Sequence, residues 1–384
     1  MRTKPLHLTL ACLAALALPA GAAADHRGHG PIARIASAVP NDPGRGTGWQ
    51  GVQWNFAGPW GVNAQPAWDN LATAGRPGGK GVVVAVLDTG VAYADRGKFK
   101  RSPDLRAASF VSGYDFVSHD PYADDPQGHG THVASTIAQA TDNGFGLTGL
   151  AFGARIMPVR VLDRNGTGDA STIADGVRFA AKRGADVINL SLEFGADVTA
   201  SSIPKLIKAI RYAHRQGAVI VGAAGNEGYG SVAYPARATY VISVSATTEH
   251  GCLADYSNQG RGLDLVAPGG GADAELADDP NCAPESPAGR EISQITYVNT
   301  RRRFGISREE GTSMAVPHVA ATAALVIASG AIGANPSPTA VRKRIEATSR
   351  DLGAPGYDEF YGWGLIDAAA ATAPGGPTAP TAAK

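Results

Sequence analysis

The run VVVAVL at residues 82–87, followed at once by Asp88-Thr89-Gly90, decides the fold class of this 384-residue chain. A continuous stretch of β-branched and aliphatic residues predicts a strand that is buried on both faces of a parallel sheet. Similar runs recur at residues 156–162, 187–192, 218–223, 240–244 and 263–267. Helical patterns alternate with several of them, at residues 131–140, 169–183 and 202–215, and a further helix is expected at 312–330. The alternation predicts an α/β fold with a mainly parallel sheet.

Composition and charge exclude several classes of protein. Lys and Arg total 34 and Asp and Glu total 34, so no net positive charge is present to attract nucleic acid. Charged residues make up only 18% of the chain, and the 49 Gly and 25 Pro follow no short repeat. This composition excludes collagen, a coiled coil and a strongly charged disordered chain. No cofactor-binding motif is present.

The N-terminal residues have the pattern of a secretory signal peptide. Arg2 and Lys4 precede an apolar run at 8–18, and small residues of the A-x-A type follow up to Ala24. The apolar run is shorter than the roughly 20 residues of a membrane helix, so we expect cleavage near Ala24 and no membrane association afterwards. The sequence thus predicts a secreted protein, extracellular or periplasmic, with a signal peptide at 1–24, a short flexible lead or pro-segment at 25–40, a main domain at 41–370 and a disordered Ala/Pro/Thr tail at 371–384.

Export gives the cysteines a specific meaning. Cys12 leaves with the signal peptide, so Cys252 and Cys282 remain as a pair in an oxidising compartment. We expect one disulfide between them. Two separate buried thiols are the alternative, because a sequence does not show whether the two Cβ atoms approach each other.

Residues that support nucleophilic catalysis occur at the ends of predicted elements. Asp88 directly follows a strand, His129 lies in the glycine-flanked turn GHGTH, and Ser313 lies in EGTSMAVPH at the start of a helix. Taken singly, Asp88 is typical of a strand-end turn and Ser313 of a helix N-cap. A serine hydroxyl needs a base within hydrogen-bond reach and a third group that holds the base, and these three residues supply that set. The amide of Asn226 adds a donor for a developing oxyanion.

Four segments, VAVLDTGV, GHGTHVAS, AAGNEG and EGTSMAVPH, resemble the signature segments of the subtilisin-like serine peptidases, the subtilases. The resemblance covers roughly residues 80 to 370 and implies a three-layer αβα fold. It implies a secreted serine endopeptidase that hydrolyses peptide bonds in proteins through an acyl-enzyme intermediate and needs no cofactor for this chemistry. Asp88, His129 and Ser313 would form the triad, and Asn226 would be the oxyanion-hole side chain. Protein or peptide substrates are the expected partners of a monomer.

The resemblance also places a specificity pocket. Its walls would be Ser191, Leu192 and Glu193 on one side and Ala223, Ala224 and Gly225 on the other, with Ala233 at the floor. A small uncharged floor implies apolar side chains before the cut bond. Glu193 departs from the family's Ser-Leu-Gly-Gly run, and two interpretations stay open: it alters the width and charge preference of the pocket, or it is a solvated carboxylate on the rim.

Calcium is the metal that the resemblance suggests. Asp104, Asp142 and Asn143 match positions that hold calcium in relatives, and oxygen-rich loops suit this hard cation. A solvated acidic loop is the alternative for each of them. His132 lies three residues after His129, but the H-E-x-x-H pattern of zinc peptidases is missing, so we expect a buried structural histidine.

Residues 269–303 read as an insertion before the nucleophile that contains Cys282. We expect a surface loop pinned by the disulfide, and a segment that borders the substrate cleft is the alternative.

Rival functional classes have less support. An acid-acting relative that uses Ser, Glu and Asp lacks the histidine of GHGTH, and an esterase would carry G-x-S-x-G where this chain reads GTSMA. A non-catalytic protein that only holds peptides is the alternative from another class. All four catalytic positions are occupied, which argues against it.

Overall fold

The computed structural model describes residues 39–105, 109–298 and 303–378, all within one structural unit, Val39–Lys384. The predicted signal peptide at 1–24 and nearly all of the predicted lead at 25–40 lie outside the described residues.

Eight parallel strands form the central sheet. They are β1 (Val83–Asp88), β2 (Ser109–Phe110), β3 (Tyr114–Asp115), β4 (Arg155–Arg160), β5 (Val187–Leu190), β6 (Val219–Ala223), β7 (Val241–Thr247) and β8 (Leu265–Pro268). Their spatial order is β2-β4-β1-β5-β6-β7-β8, and β3 also pairs with β4. The prediction of an α/β fold with a mainly parallel sheet is confirmed. Each of the six predicted strands is present, with ends shifted by at most three residues.

Helices cover both faces of this sheet. They are α1 (Trp54–Ala57), α2 (Ala64–Thr73), α3 (His129–Ala138), α4 (Ala170–Lys182), α5 (Pro204–Arg215), α6 (Thr312–Ser329), α7 (Pro338–Thr348) and α8 (Ala368–Thr372), with short 3-10 helices at Trp49–Gly51 and Pro77–Gly79. The Asp169 side chain caps α4 by accepting from two backbone N–H groups. The helix α5, by contrast, begins at Pro204 without a side-chain cap, so the predicted start at Ser202 is two residues early.

Alternate residues of the strands pack into two separate hydrophobic cores, one on each face of the sheet. In β1, Val84 and Val86 pack into the core that contains α2, α3 and α6, whereas Val83, Ala85 and Leu87 pack into the core of α4 and α5. A strand buried on both faces needs apolar residues at every position, which is why VVVAVL is continuous. The implied three-layer αβα arrangement is confirmed.

The helix α6 is the central helix of the larger core. Among the described residues it is the one helix long and apolar enough to cross a membrane, with a mean hydropathy of 1.4. Because 78% of it is buried inside the protein, its apolar character is that of a core helix.

The insertion at 269–303 is more ordered than the sequence indicated. Its last part forms β9 (Ile292–Tyr297), which pairs antiparallel with β10 (Phe304–Glu309) and packs on α3. All six residues of β9 are buried, so the expected surface loop is wrong for this part. The disulfide between Cys252 and Cys282 is present as predicted.

The predicted disordered tail starts too early. Ala371 and Thr372 are buried in α8, and Arg344 Nη1 donates to the Pro377 carbonyl at 2.7 Å. Residues 379–384 lie outside the described part of the chain.

Candidate active site

The candidate site lies at the carboxyl end of β1, which stands between β4 and β5 in the sheet. After β1 the chain forms the strands on the β4 side and then crosses back to β5 on the other side. This reversal of strand order is where open α/β sheets form a ligand crevice. Asp88 is the last residue of β1 and is fully buried, and His129 is the first residue of α3. His129 Nδ1 lies 2.8 Å from Asp88 Oδ1, so the structure brings these two predicted residues together.

A buried carboxylate shapes the turn that carries His129. Asp125 accepts from the backbone N–H groups of Gln127 and Gly128, both at 2.8 Å, through Oδ1. Its Oδ2 accepts from the N–H of Thr131 at 3.0 Å and from the Thr131 hydroxyl at 2.5 Å. Burial raises the pKa of Asp125, although these donors oppose the change. The Asp125 carboxylate therefore joins, through hydrogen bonds, the residues before His129 to Thr131 after it.

Two glycines permit the close packing of the histidine turn against β1. A Cβ on Gly130 would lie 2.1 Å from the Gly90 carbonyl oxygen and 3.0 Å from Asp88 Cβ. Gly90 has φ +108°, and a Cβ there would meet the Asp124 carbonyl oxygen at 2.5 Å. Only residues without a side chain let α3 start this close to Asp88, which explains the glycines of DTG and GHG.

The electrostatics of His129 are dominated by two opposing effects. Burial by itself lowers the pKa of this imidazole, but the charge and the hydrogen bond of Asp88 raise it, as do the charges of Glu309 and Asp125. The net result is a pKa raised from 6.5 to about 9. The site therefore favours the imidazolium ion, the species that forms when the histidine accepts a proton.

Ser313 lies in the first turn of α6 and exchanges hydrogen bonds with Ser191. The Ser313 hydroxyl donates to the Ser191 carbonyl at 3.3 Å, and the Ser191 hydroxyl donates to the Ser313 carbonyl at 2.8 Å. The Ser313 carbonyl is available for this bond because Pro317, four residues later, has no N–H to donate to it. The proline thus helps to join α6 to the segment after β5.

Asn226 is oriented by the residue before the candidate nucleophile. Its Oδ1 accepts from the Thr312 backbone N–H at 2.8 Å and from the Thr312 hydroxyl at 3.0 Å. These two bonds fix the amide so that Nδ2 is the group left to donate elsewhere. In this structure Nδ2 donates to Glu193 Oε1 at 2.9 Å.

The predicted pocket residues occupy two different spaces. Ser191, Leu192 and Glu193 line a cleft of about 380 Å³ together with His129 and Ser313. Ala223 and Ala224 are fully buried, and the Ala233 N–H donates to the Ala224 carbonyl at 2.7 Å. Ala233 borders a separate cavity of only about 10 Å³. No described residue lines both the cleft and this small cavity.

The predicted calcium residues are joined by one that sequence reasoning missed. Asp42 is buried and accepts from the N–H groups of Asp142 and Asn143, while Asp104 accepts from Asn143 Nδ2 at 2.8 Å. Burial raises the pKa of Asp104 to about 6, and the charge of Asp42 adds to this. The Asp142 carboxylate instead accepts from the Asn41 N–H, and the residue is exposed.

Two carboxylates of this set are buried without a basic partner among the described residues. Within the described residues no lysine or arginine pairs with Asp42 or Asp104, so a cation would relieve two buried charges. The described residues contain no group of three acidic, histidine or cysteine side chains suited to a metal, and backbone and amide oxygens would have to complete the coordination.

Two further histidines, His132 and His318, are buried, and burial of His132 was expected from the sequence. His132 is buried and its Nε2 lies 3.1 Å from the Ile292 carbonyl of β9. His318 bonds the Met314 carbonyl and Asn55 at 2.8 Å each, and burial lowers its pKa to about 3.

Three residues with supporting roles, Asp125, Thr312 and Tyr256, were not predicted from the sequence. The Tyr256 hydroxyl accepts from the Gly311 N–H at 2.9 Å and donates to the Gly270 carbonyl at 2.8 Å, and so positions the residue before Thr312. Thr312 lies within the GTS motif, so the sequence contained a signal that it belongs to the site. Tyr256 stands in no motif, and only the fold places it beside the site.

Comparison with known proteins identifies the chain's relatives. A family model described as the subtilase family matches residues 79–364. Subtilisin Savinase from Lederbergia lenta is 36% identical over 316 residues, which cover 82% of this chain and 98% of that protein. A thermophilic serine proteinase from Bacillus sp. (strain AK1) is 36% identical over 327 residues, covering 85% of this chain and 68% of its own. A solved protease structure from Pseudoalteromonas arctica PAMC 21717 is 32% identical with a TM-score of 0.70, covering 87% of this chain and 99% of that one.

Proposed function

The chain belongs to the subtilase family of serine endopeptidases, and we propose on this premise that it hydrolyses peptide bonds in proteins through Asp88, His129 and Ser313. The observation that carries the proposal is the 2.8 Å contact between His129 Nδ1 and Asp88 Oδ1 at the edge of a cleft that Ser313 also lines. An orienting acid, a base and a hydroxyl in one crevice are what nucleophilic catalysis requires.

Asp88 sets the protonation of the imidazole. Because its carboxylate accepts from Nδ1–H, the neutral ring keeps Nε2 as the acceptor for the serine proton. Ser313 Oγ attacks the peptide carbonyl carbon as His129 Nε2 takes the hydroxyl proton. The imidazolium then gives this proton to the leaving amine, the C–N bond breaks, and an acyl-enzyme ester forms on Ser313. Water, deprotonated by the same histidine, hydrolyses the ester and regenerates the serine.

Two donors would hold the negative charge of the tetrahedral intermediate. One is the Asn226 amide, oriented by Thr312, and the other is the Ser313 backbone N–H at the N-terminus of α6. The first N–H groups of a helix have no intrahelical partner and lie at the positive end of its dipole. The wall at Ser191 to Glu193 would pair with the extended peptide by strand addition.

Replacement of the nucleophile tests this proposal directly. The variant Ser313→Ala should stay folded and lose peptide hydrolysis, with residual activity about 10³-fold or more below that of the wild type. The matched control is Ser286→Ala, which alters an exposed loop serine and should keep full activity. Undiminished hydrolysis by Ser313→Ala would contradict the assignment.

We further propose that the protein is secreted as a monomer. A positively charged start, an apolar run and small residues to Ala24 support a signal peptide at 1–24, and the Cys252–Cys282 disulfide suits an oxidising compartment. The lead at 25–40 would precede a peptidase domain that begins at residue 41 and ends near 370. The N-terminal sequence and intact mass of secreted protein test these boundaries.

Structural calcium forms a separate proposal. Asp42 and Asp104 would supply carboxylate oxygens to the ion, which would stabilise the fold and take no part in the chemistry.

A further inference from the structure

Glu193 closes the gap between the two predicted pocket walls. Its segment follows β5, while Gly225 and Asn226 follow β6 on the opposite wall. Glu193 Oε1 accepts from Asn226 Nδ2 at 2.9 Å, and a Cβ on Gly225 would lie 2.7 Å from Glu193 Oε2. The carboxylate therefore lies directly against the backbone of the facing wall.

The space next to this closure is too small for a substrate side chain. The cavity bordered by Ala233, Tyr234 and Asn258 has a volume of about 10 Å³, which is room for about one water molecule. A side chain can enter between the walls only after Glu193 has moved. The same movement frees Asn226 Nδ2, the proposed oxyanion donor. Movement of the Glu193 side chain would thus open the pocket and at the same time free Asn226 Nδ2 to donate to an oxyanion.

Only one of the two carboxylate oxygens of Glu193 has a hydrogen-bond donor among the described residues. Glu193 Oε2 is buried and has no hydrogen-bond partner among the described residues. Burial raises the pKa of Glu193, the bond from Asn226 opposes this, and the charge of Glu227 raises it further. Arg237 borders the same small cavity, but it is exposed and forms no ion pair with Glu193 in the described part of the chain. A buried oxygen without a donor has a free-energy cost that an arriving cation would remove.

We propose that Glu193 selects substrates with lysine or arginine immediately before the scissile bond. The cationic end of such a side chain draws the carboxylate away from Asn226 and pairs with it at the mouth of the pocket. The aliphatic stem then lies between the two walls, beside the backbone of residues 223–225. An apolar side chain offers the displaced carboxylate no partner. This inference rests on the proposed function of the same site, and it replaces the apolar preference expected from Ala233.

Peptide p-nitroanilides that differ only in the residue before the scissile bond, namely Lys, Arg, Phe or Leu, test the proposal. The measured quantity is the ratio of kcat/KM for Lys to that for Phe. The variant Glu193→Gln keeps an acceptor for Asn226 but removes the charge, and it should lower this ratio about tenfold or more, since a charged hydrogen bond contributes about 1.5–3 kcal/mol. The variant Glu193→Gly removes the closure and should raise kcat/KM for Phe. The control Glu275→Gln changes an exposed carboxylate of the 269–303 insertion and should leave the ratio unchanged.

Either of two results would overturn the inference. One is a wild-type enzyme that cleaves the Phe substrate better than the Lys and Arg substrates, and the other is a ratio that Glu193→Gln does not change. Both leave the proposed function intact, because the substrates are still cleaved and Ser313→Ala abolishes the cleavage. Failure of the proposed function looks different: none of the four substrates is hydrolysed by folded wild-type protein.

Discussion

His129 Nδ1 lies 2.8 Å from Asp88 Oδ1, in a contact where the carboxylate is fully buried and 23% of the imidazole side chain is exposed. This single contact orders the ring, assigns the proton to Nδ1 and stabilises the imidazolium against the effect of burial. It also makes the proposed activity depend on pH, because the proposed general base must be neutral before it accepts the serine proton.

The pH dependence of kcat/KM should therefore be displaced to alkaline values. With the pKa of His129 raised to about 9, the histidine is mostly protonated at neutral pH, and kcat/KM should rise with pH to a half-maximal point near that value. Glu309→Gln removes one of the charges that raise the pKa, so its half-maximal point should lie at lower pH. The control is Glu285→Gln, an exposed carboxylate. A wild-type midpoint near the ordinary 6.5 would contradict this account of the site's charge.

Loss of the oriented amide should reduce turnover without a comparable change in KM. Asn226→Ala removes one oxyanion donor, and removal of such a donor in subtilisin, itself a member of this family, costs roughly 10²–10³-fold in kcat. Thr312→Val deletes the hydroxyl that donates to Asn226 Oδ1 but keeps the backbone N–H, so a smaller loss of about tenfold is expected. Steady-state kinetics on one substrate separate the two effects. Equal losses in both variants would show that Thr312 does more than orient the amide.

A single methyl group at Gly130 should disrupt the site. Its Cβ would lie 2.1 Å from the Gly90 carbonyl oxygen, so Gly130→Ala must move the start of α3 away from Asp88. A displacement of about 1 Å can cost about 10²-fold, and we expect a loss of that order in kcat/KM. Gly230→Ala is the matched control, since a Cβ there meets nothing within 4 Å. Wild-type kinetics in Gly130→Ala would mean that the histidine turn tolerates this movement.

Calcium should reverse the pH dependence of stability that Asp104 contributes. With its folded-state pKa raised to about 6, this carboxyl binds a proton more tightly in the folded than in the unfolded protein. In a chelator, its ionisation therefore lowers the free energy of unfolding as the pH rises from about 4 to about 6. A bound cation would instead favour the ionised form of Asp104 and would raise Tm at pH values above about 6.

Thermal unfolding with calcium and with a chelator checks this expectation in the wild type and in Asp104→Asn. The wild type should gain Tm on addition of calcium, and Asp104→Asn should lose most of that gain. A calcium-independent Tm in the wild type would remove the proposal for this site, whereas an equal gain in both proteins would place the ion elsewhere.

How much of the fold and the site could be predicted depends on how far apart in the chain the interacting residues lie. The strand VVVAVL and the residue that ends it are local features, so the sheet and the position of Asp88 at its carboxyl edge could be derived from short windows. His129 is the first residue of α3 and Ser313 is the second residue of α6, and each helix follows a glycine. Their motifs identify them without knowledge of the contacts they make.

The supporting contacts could not be derived in the same way, because they join segments that are distant in the chain. Asp42 reaches Asp142 across 100 residues, and Glu193 reaches Asn226 across 33. Asp125 is close to His129 in the chain, but its role depends on its burial, which the neighbouring residues in the sequence do not indicate. The order of β9 likewise comes from packing against α3, which its own sequence does not reveal.

Covalent labelling measures whether Ser313 is an activated nucleophile. Purified folded protein is treated with a phosphonylating reagent specific for active-site serines and is then analysed by intact mass and peptide mapping, with Ser313→Ala and His129→Ala as references. We expect one adduct, located on Ser313, that is absent from Ser313→Ala and strongly reduced in His129→Ala. Folded wild-type protein that gains no adduct, or gains it on another residue, would rule out Ser313 as the nucleophile.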